Sequence, residues 1–197
     1  MEKKKTRKEQ AKMTRARILE VCKQLLKERT YEEINIADIC EIAQISVGAF
    51  YHHFPSKDSI VIEIYRDIDY IFAEDVFPEV EKYPAAEAIV SYLDKMGEYA
   101  ELYGIDFITN LYKAQINHGN EFYMSDHRGL PQQLLKLIKR AVKENVLKAD
   151  VDEECLMNDL LMITRGGVYH WCVCGGKVEV RENIRRLTGG YLKMYLN

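Results

Sequence analysis

Residues 35–57 decide the fold, and they read N-I-A-D-I-C-E-I-A-Q-I-S-V-G-A-F-Y-H-H-F-P-S-K. Apolar residues in the first half recur three and four positions apart, which predicts a helix of about two turns, and Asn35 can cap its start. A second short helix is predicted over residues 47–54, because Ser46 is a favourable N-cap and Pro55 disfavours a helical conformation in the residue before it. The pattern is interrupted at Gln44, so we expect two short helices joined by a tight turn.

Two short helices on a tight turn are the layout of a helix-turn-helix, in which the second helix enters the major groove of DNA. Gly48 and Ala49 are small, so the start of the second helix would approach base edges closely. The alternative is an ordinary helical hairpin in which Tyr51, His52 and His53 are simply exposed. The pattern alone leaves both interpretations open.

The run over residues 42–59 resembles the signature of the TetR family of repressors, usually some form of A-G-V-S-x-G-T-L-Y-x-H-F-x-S-K. The residues that match in register are Ala43, Ser46, Gly48, Tyr51, His53, Phe54, Ser56 and Lys57. Three positions depart from it: Gln44 replaces the usual turn glycine, Ala49 a threonine and Cys40 an alanine. These departures concern the base preference rather than the fold.

This resemblance implies roles for residues in and around the second short helix. The residues implied to face base edges are Val47, Gly48, Ala49 and His52. Those implied to bind phosphates are Tyr51, His53 and Lys57. Ser46 would cap the reading helix, and the helix that begins near Ile36 would offer its backbone N–H groups to a further phosphate.

Charge is distributed unevenly along the chain. Residues 1–30 contain eleven Lys or Arg against four Asp or Glu, whereas the remainder contains 17 against 27. A basic arm on an acidic body suits a protein whose N-terminal end faces a polyanion such as double-stranded DNA. We also expect residues 1–11 to be a solvated, disordered tail.

Several other classes of protein lack support in the sequence. There is no apolar segment of a secretory signal after the first lysines and no run of about twenty apolar residues, so we expect a cytoplasmic protein. Nucleophile elbows, phosphate-binding glycine loops and zinc-spaced His/Cys sets are missing, which argues against an enzyme, a cofactor or a metal. The five cysteines are best explained by packing.

Helical periodicity continues along the whole chain and predicts an all-α fold of about nine helices. We expect a basic arm and helix-turn-helix domain over residues 1–55, with its first helix at 14–28. A helical ligand-binding and dimerisation domain would follow over residues 56–197. An uninterrupted helix over residues 56–77 would join the two domains, so tilting it would move the reading helix.

The last two predicted helices, over residues 152–174 and 180–196, indicate a dimer interface. The first of them is apolar almost all round, and paired glycines permit close approach of backbones. In the TetR family the corresponding helices pair across a two-fold axis. The predicted interface residues are Leu160, Gly167, Trp171, Ile184, Leu187 and Tyr191. The alternative is that these helices form only the intrachain core.

The middle helices are predicted to enclose a pocket for an aromatic or hydrophobic small molecule, because aromatic and Met residues concentrate there. The predicted ligand-binding residues are Tyr65, Met96, Tyr99, Tyr103, Phe107, Tyr112, Tyr123, Arg165 and Tyr169. The alternative is a filled core. Arg165 needs a partner in its apolar helix, and Asp106, Asp159, a symmetry mate or an anionic ligand would each serve.

The sequence therefore predicts a homodimeric, TetR-like repressor that binds a palindromic operator and is released by a small molecule. One alternative is a helix-turn-helix protein without an inducer, acting as an activator or in chromosome organisation. The other is a helical small-molecule-binding protein or enzyme whose helix-turn-helix is structural.

Overall fold

The computed structural model describes residues 6–118 and 128–197, and this part of the chain is all-α, as predicted. The helices are α1 Arg7–Glu28, α2 Ile36–Ala43, α3 Val47–His53, α4 Lys57–Ile71, α5 Phe77–Val80, α6 Ala85–His118, α7 Gly129–Lys143, α8 Glu153–Val173 and α9 Val180–Leu192. A π-helical turn, Phe72–Val76, lies between α4 and α5, and a 3₁₀ turn, Lys193–Tyr195, follows α9. Within these ranges the β structure is a single bridge between Leu147 and Leu196.

Both short helices of residues 35–57 are present and begin at the predicted caps. The side chain of Asn35 accepts a hydrogen bond from the N–H of Asp38 at 2.9 Å, and that of Ser46 accepts one from the N–H of Ala49 at 3.1 Å. Gln44 lies between them with φ 53° and ψ 50°, a left-handed conformation that usually favours glycine. The turn therefore keeps its geometry although the glycine typical of the family is absent.

The first helix is longer than its apolar pattern predicts. It starts at Arg7 rather than near residue 14, so residues 7–11 are helical and the expectation of a disordered tail is wrong there. The cause is a capping box: Thr6 Oγ1 accepts a hydrogen bond from the N–H of Glu9, and Glu9 Oε2 accepts one from the N–H of Thr6. Residues 1–5 lie outside the described residues.

The predicted uninterrupted helix over residues 56–77 is also corrected. Phe72–Val76 is π-helical, and the helical path continues through Pro78, which occupies the first turn of α5 where no N–H is needed. The start of α7 packs closely on this turn, because a Cβ at Gly129 would lie 2.9 Å from the Cβ of Ala73. Only glycine allows this approach without a shift.

Helices α4, α6, α7, α8 and α9 form the body of the molecule. Helix α6 bends at Gly104, whose φ of 81° is outside the helical range, at the predicted break. Asp94 of α6 is buried and binds Arg181 of α9 through two hydrogen bonds of 3.2 and 2.6 Å. One continuous apolar core runs from Ile18 in α1 to Leu192 in α9. The helix-turn-helix therefore shares its core with the body.

Candidate nucleic-acid interface, central pocket and subunit surface

The predicted DNA-contacting residues lie together on the outer side of the helix-turn-helix. Those that are exposed are Ser46, Val47, Gly48, Tyr51 and His52, and those that are half-buried are Ile36, Ala49, His53 and Lys57. Val47 and Tyr51 are four residues apart, as are Gly48 and His52, so each pair shares one side of α3. The opposite side is anchored by Phe50 and Phe54, which are almost fully buried. The geometry leaves one short face available to a ligand.

Two histidines end α3. The ring centroids of His52 and His53 are 5.3 Å apart. Partial burial lowers the pKa of His53 below its ordinary value, with further contributions from His52 and from the guanidinium of Arg15. The imidazolium form of His53 is therefore disfavoured until an anion approaches.

Lys57 has a structural role that the sequence did not indicate. Its Nζ donates hydrogen bonds to the backbone carbonyls of Tyr31 at 2.6 Å and Ile34 at 2.8 Å, and it lies 4.0 Å from the centroid of the Tyr31 ring. These contacts fix the loop between α1 and α2. An ammonium group has three N–H donors, so a phosphate contact would use the remaining one.

The helix-turn-helix is attached to the body at several points. Arg15 of α1 forms a bidentate ion pair with Glu63 of α4, with both N–O distances 2.8 Å, and this contact lowers the pKa of Glu63. A further contact comes from α6, because the N–H of Tyr31 donates to Asp106 Oδ2 at 2.7 Å. Both α4 and α6 therefore hold the helix-turn-helix domain in place.

A small apolar pocket of about 70 Å³ lies between α4, α6, α7 and α8. The predicted ligand-binding residues that line it are Tyr65, Met96, Tyr99, Tyr112 and Arg165. Gln115, which was not predicted, contributes another polar side chain. The structure thus brings predicted residues of α4, α6 and α8 together around one pocket.

The remaining predicted ligand-binding residues do not line this pocket, which corrects the expectation of a single pocket containing them all. Tyr103 and Phe107 follow Tyr99 along α6 and line an open cleft of about 760 Å³ between α1 and α6. Tyr169 is 56% exposed, with its ring edge-on to that of Tyr112 at 6.0 Å. Tyr123 lies outside the described residues.

Sequence reasoning missed a buried ion pair beside the pocket. Arg128 and Asp69 are both buried, and Arg128 Nε and Nη2 donate to Asp69 Oδ1 at 3.1 and 2.8 Å. Arg128 Nη2 also donates to the hydroxyl of Tyr65 at 2.8 Å. A signal was available: Asp69 lies four residues after Tyr65 and three before Phe72, within the apolar stripe of the helix.

The predicted interface residues divide into two groups. Leu160, Trp171 and Ile184 are buried inside the single chain, so they belong to its core and their assignment to the interface is corrected. Gly167, Leu187 and Tyr191 line an open groove of about 780 Å³ between α8 and α9. Exposed Met162 and Met194 line it as well.

Two of the carboxylates considered as partners of Arg165 accept hydrogen bonds from other groups. Asp106 accepts from the N–H of Tyr31, and Asp159 accepts from the hydroxyl of Tyr191 at 2.5 Å. The backbone carbonyl of Arg165 accepts from the Tyr112 hydroxyl at 2.9 Å, and its side chain contributes to the pocket wall.

The described residues contain no group of three His, Cys, Asp or Glu residues placed to hold a metal ion. Among them, no helix is both long and apolar enough to cross a membrane.

Comparisons with known proteins agree with this geometry. Residues 18–64 match the family model described as bacterial regulatory proteins, tetR family. The transcriptional repressor KstR2 of Rhodococcus jostii is 27% identical over 179 residues, which cover 84% of this chain and 83% of that protein.

Two solved structures have the same fold. Thermus thermophilus FadR, a TetR-family repressor in complex with lauroyl-CoA, superposes with a TM-score of 0.74 at 16% identity, covering 91% of this chain and 93% of its own. RolR in complex with resorcinol superposes with a TM-score of 0.69 at 15% identity, covering 96% and 90%. The chain is therefore similar to TetR-family transcriptional regulators in its helix-turn-helix, within residues 18–64, and in the all-helical fold of its described residues.

Proposed function

We propose that this protein is a cytoplasmic, homodimeric repressor that binds a palindromic operator and is released from it by a small molecule. The observation that carries the proposal is the path of α4. Its first residue, Lys57, holds the loop of the helix-turn-helix, and Tyr65 and Ile68 further along the same helix line the central pocket. A change in the pocket wall would therefore reach the DNA-reading end through one rigid element.

DNA binding is supported by the face of α3. Small or polar residues at Gly48, Ala49 and His52 would meet base edges, while Tyr51 and His53 would bind phosphates. The basic residues of α1 would add attraction that depends on salt and not on sequence. Two such faces in a dimer would read half-sites about 34–36 Å apart, which is the geometry of a palindromic operator.

Dimerisation is supported by the groove between α8 and α9. Met162, Leu187 and Met194 expose between 42% and 65% of their surface there, and a cluster of this kind is typical of a protein–protein contact. Gly166 and Gly190 border the same groove, and a Cβ at either position would have no neighbour within 4 Å. A second copy would therefore approach this backbone closely.

Ligand control is supported by the position of the pocket. Its walls come from α4, α6, α7 and α8, and two of these helices contact the helix-turn-helix domain, α4 through Lys57 and α6 through Asp106. A ligand that enlarges the pocket would move both. A coupling free energy of about 1–3 kcal/mol is enough for roughly 5- to 150-fold release. The structures of the relatives with lauroyl-CoA and resorcinol support a small-molecule effector here.

The size of the pocket favours a second candidate function. A volume of about 70 Å³ is far below the roughly 300–1,000 Å³ of typical ligand pockets, as expected if the core is filled and no inducer exists. The protein would then regulate transcription or organise DNA without a ligand. Thermal-shift screening separates the two, because an effector at 100 times its Kd adds about 2.7 kcal/mol of stability.

The deciding experiment is a binding selection with the purified protein against short fragments of its own genome, repeated at two salt concentrations. Recovery of a pseudo-palindrome that persists at the higher salt is expected. Tyr51→Phe should weaken binding similarly on all sequences, whereas His52→Gln should change the selected sequence. Binding that is blind to sequence and lost at the higher salt would contradict the proposal.

A further inference from the structure

A larger cavity than the central pocket lies at the junction of the helix-turn-helix domain with the body. It is the open cleft between α1 and α6, and its volume of about 760 Å³ is within the roughly 300–1,000 Å³ of typical ligand pockets. Part of its lining comes from α1 and the loop after it, within residues 20–33. The rest comes from Ile64 of α4 and from residues 102–107 of α6. A molecule bound there would contact the helix-turn-helix domain and the body at once.

The side of the cleft formed by α6 is apolar and open. The helix breaks at Gly104, where φ is 81° and a Cβ would have no neighbour within 4 Å. Leu102, two residues earlier, exposes 74% of its surface. The ring of Tyr103 packs against that of Phe107, with centroids 5.1 Å apart and planes tilted by 32°. This side therefore offers an aliphatic and aromatic surface to a flat apolar molecule.

Carboxylates predominate among the charged groups of the cleft. Its described lining contains three cationic side chains and four carboxylates, which belong to Glu20, Glu28, Glu33 and Asp106. Lys23 and Arg29 are each paired with a carboxylate outside the lining, that of Asp67 at 2.7 Å and that of Asp38 at 3.3 Å. This leaves Lys27, among the described lining residues, to balance the four carboxylates. The cleft therefore carries a net negative charge.

Two of these carboxylates are held by neutral groups and keep their charge. Asp106 Oδ2 accepts a hydrogen bond from the N–H of Tyr31 at 2.7 Å, and Glu33 Oε2 accepts one from the N–H of Thr30 at 2.9 Å. The hydrogen bonds from Thr30 lower the pKa of Glu33. Because an N–H group stabilises a carboxylate without cancelling its charge, both residues can still attract a cation.

We propose that this cleft binds an organic cation with a flat aromatic body. The body would lie on Leu102 and Tyr103, and the cationic group would be held by the lining carboxylates and by the face of the Tyr103 ring. The central pocket would not take this ligand, because its volume is about 70 Å³ and its described lining contains no carboxylate. The site goes beyond the proposed function and does not depend on it.

The test compares three probes that share an anthracene body and differ in charge. They are anthracen-9-ylmethylammonium, anthracen-9-ylmethanol and anthracene-9-carboxylate, and their binding to the full-length protein is measured by fluorescence anisotropy at two salt concentrations. We expect the cation to bind about threefold to tenfold more tightly than the alcohol, because ionic and cation–π contacts in an open cleft are individually modest. The anion should bind most weakly, and the preference for the cation should shrink at the higher salt concentration.

Variants assign this preference to the cleft. Glu20→Gln combined with Glu28→Gln removes two exposed carboxylates of the lining and should reduce the preference for the cation to about twofold or less. Glu87→Gln combined with Glu182→Gln is the matched control, because it changes the net charge equally at exposed positions outside the lining. The control should keep the full preference.

The aromatic surface is tested at Tyr103. Tyr103→Leu should weaken the binding of all three probes by about threefold or more, whereas Tyr70→Leu, at a 66% exposed position outside the lining, should leave it unchanged. Amide hydrogen exchange with the cation bound should slow in residues 102–107 and in the loop after α1. Circular dichroism shows whether each variant is folded, and the paired Glu variant remains informative if Tyr103→Leu does not fold.

Equal affinities for the cation and the alcohol would overturn the proposal, as would a preference that survives in full in the variant of Glu20 and Glu28. Failure of the cation to bind at millimolar concentration would have the same consequence, and so would slower exchange confined to the walls of the central pocket. None of these measurements uses DNA. The selection of genomic fragments tests the proposed function separately, so either idea can fail alone.

Discussion

The face of α3 and the central pocket are built in opposite ways. The first is an exposed strip on a seven-residue helix, anchored from behind by Phe50 and Phe54. The second is a small apolar space between four helices, close to the buried pair of Asp69 and Arg128. Exposed residues of the strip can therefore be replaced at little cost in stability, whereas changes around the pocket alter binding and folding together.

The largest expected effect is on stability, and it tests the buried ion pair beside the pocket. Asp69→Asn removes the carboxylate that the buried Arg128 guanidinium binds, and we expect the free energy of unfolding to fall by about 3–5 kcal/mol. Urea denaturation measures this change. Asp67→Asn is the control, because Asp67 pairs with Lys23 near the surface, where the loss should be at most about 1 kcal/mol. Similar losses in the two variants would remove the distinction between pocket and surface.

A second test asks whether the groove between α8 and α9 is a subunit interface. Leu187→Glu would place a carboxylate where an apolar contact is expected, and desolvating it should weaken dimerisation about a hundredfold. Sedimentation equilibrium measures the dissociation constant. Leu102→Glu is matched to it, since Leu102 is 74% exposed on α6 away from the groove. A dimer unaffected by Leu187→Glu would place the interface elsewhere.

The connection between the two regions is tested at Asp106. Asp106→Ala removes the acceptor of the Tyr31 N–H, which is worth about 1 kcal/mol, or roughly fivefold. We expect amide hydrogen exchange in the loop between α1 and α2 to accelerate by that factor, with a smaller loss in DNA affinity. Asp106→Asn retains an acceptor oxygen and should exchange nearly as the wild type does. Unchanged hydrogen exchange in Asp106→Ala would mean that Asp106 does not hold this loop. The contacts of α4 would then have to be tested instead.

The smallest expected effect concerns pH at the end of α3. Burial lowers the pKa of His53 in the free protein, and a DNA phosphate would raise it again by favouring the imidazolium. Binding would then take up protons, so affinity should rise as the pH falls from 7.5 to 5.5, by severalfold at most. His53→Asn should flatten this profile relative to the wild type. The same slope in both proteins would place the titrating group elsewhere.

His53 has a linked effect on stability, with a defined sign. A histidine whose folded-state pKa is lowered disfavours protonation of the native state, so its contribution is present above its unfolded-state pKa and is lost as the pH falls. DNA affinity and the stability of the free protein should therefore change in opposite directions over the same acidic interval.

How far the sequence could predict the structure depends on how local each feature is. Asn35 and Ser46 cap the helices they were expected to cap, because an N-cap bond joins residues three positions apart. The extension of α1 to Arg7 was missed although Thr6 and Glu9 are equally local, since the apolar pattern used to place its start does not extend that far. The π-helical turn after α4, on which Gly129 packs closely, was not visible in the pattern.

The predicted site residues show the same division between local features and features that depend on packing. Arg165 was recognised as a charge needing an explanation, but its position in the pocket wall depends on α6 and α8 lying side by side. Leu160 was placed at the interface because its helix is apolar almost all round. Only packing decides which part of such a helix faces its own chain and which part faces outward.

The sequence by itself determined the helix-turn-helix, the all-α class and the uneven charge, because capping, periodicity and composition act within a few residues of the chain. Only the tertiary structure decided which aromatic residues share a pocket, that Arg128 neutralises Asp69, and that Lys57 binds the loop between α1 and α2. The contacts of Arg128 and Lys57 join residues at least 23 positions apart. Helical periodicity places each side chain around its own helix axis and carries no information on how the helix axes are arranged.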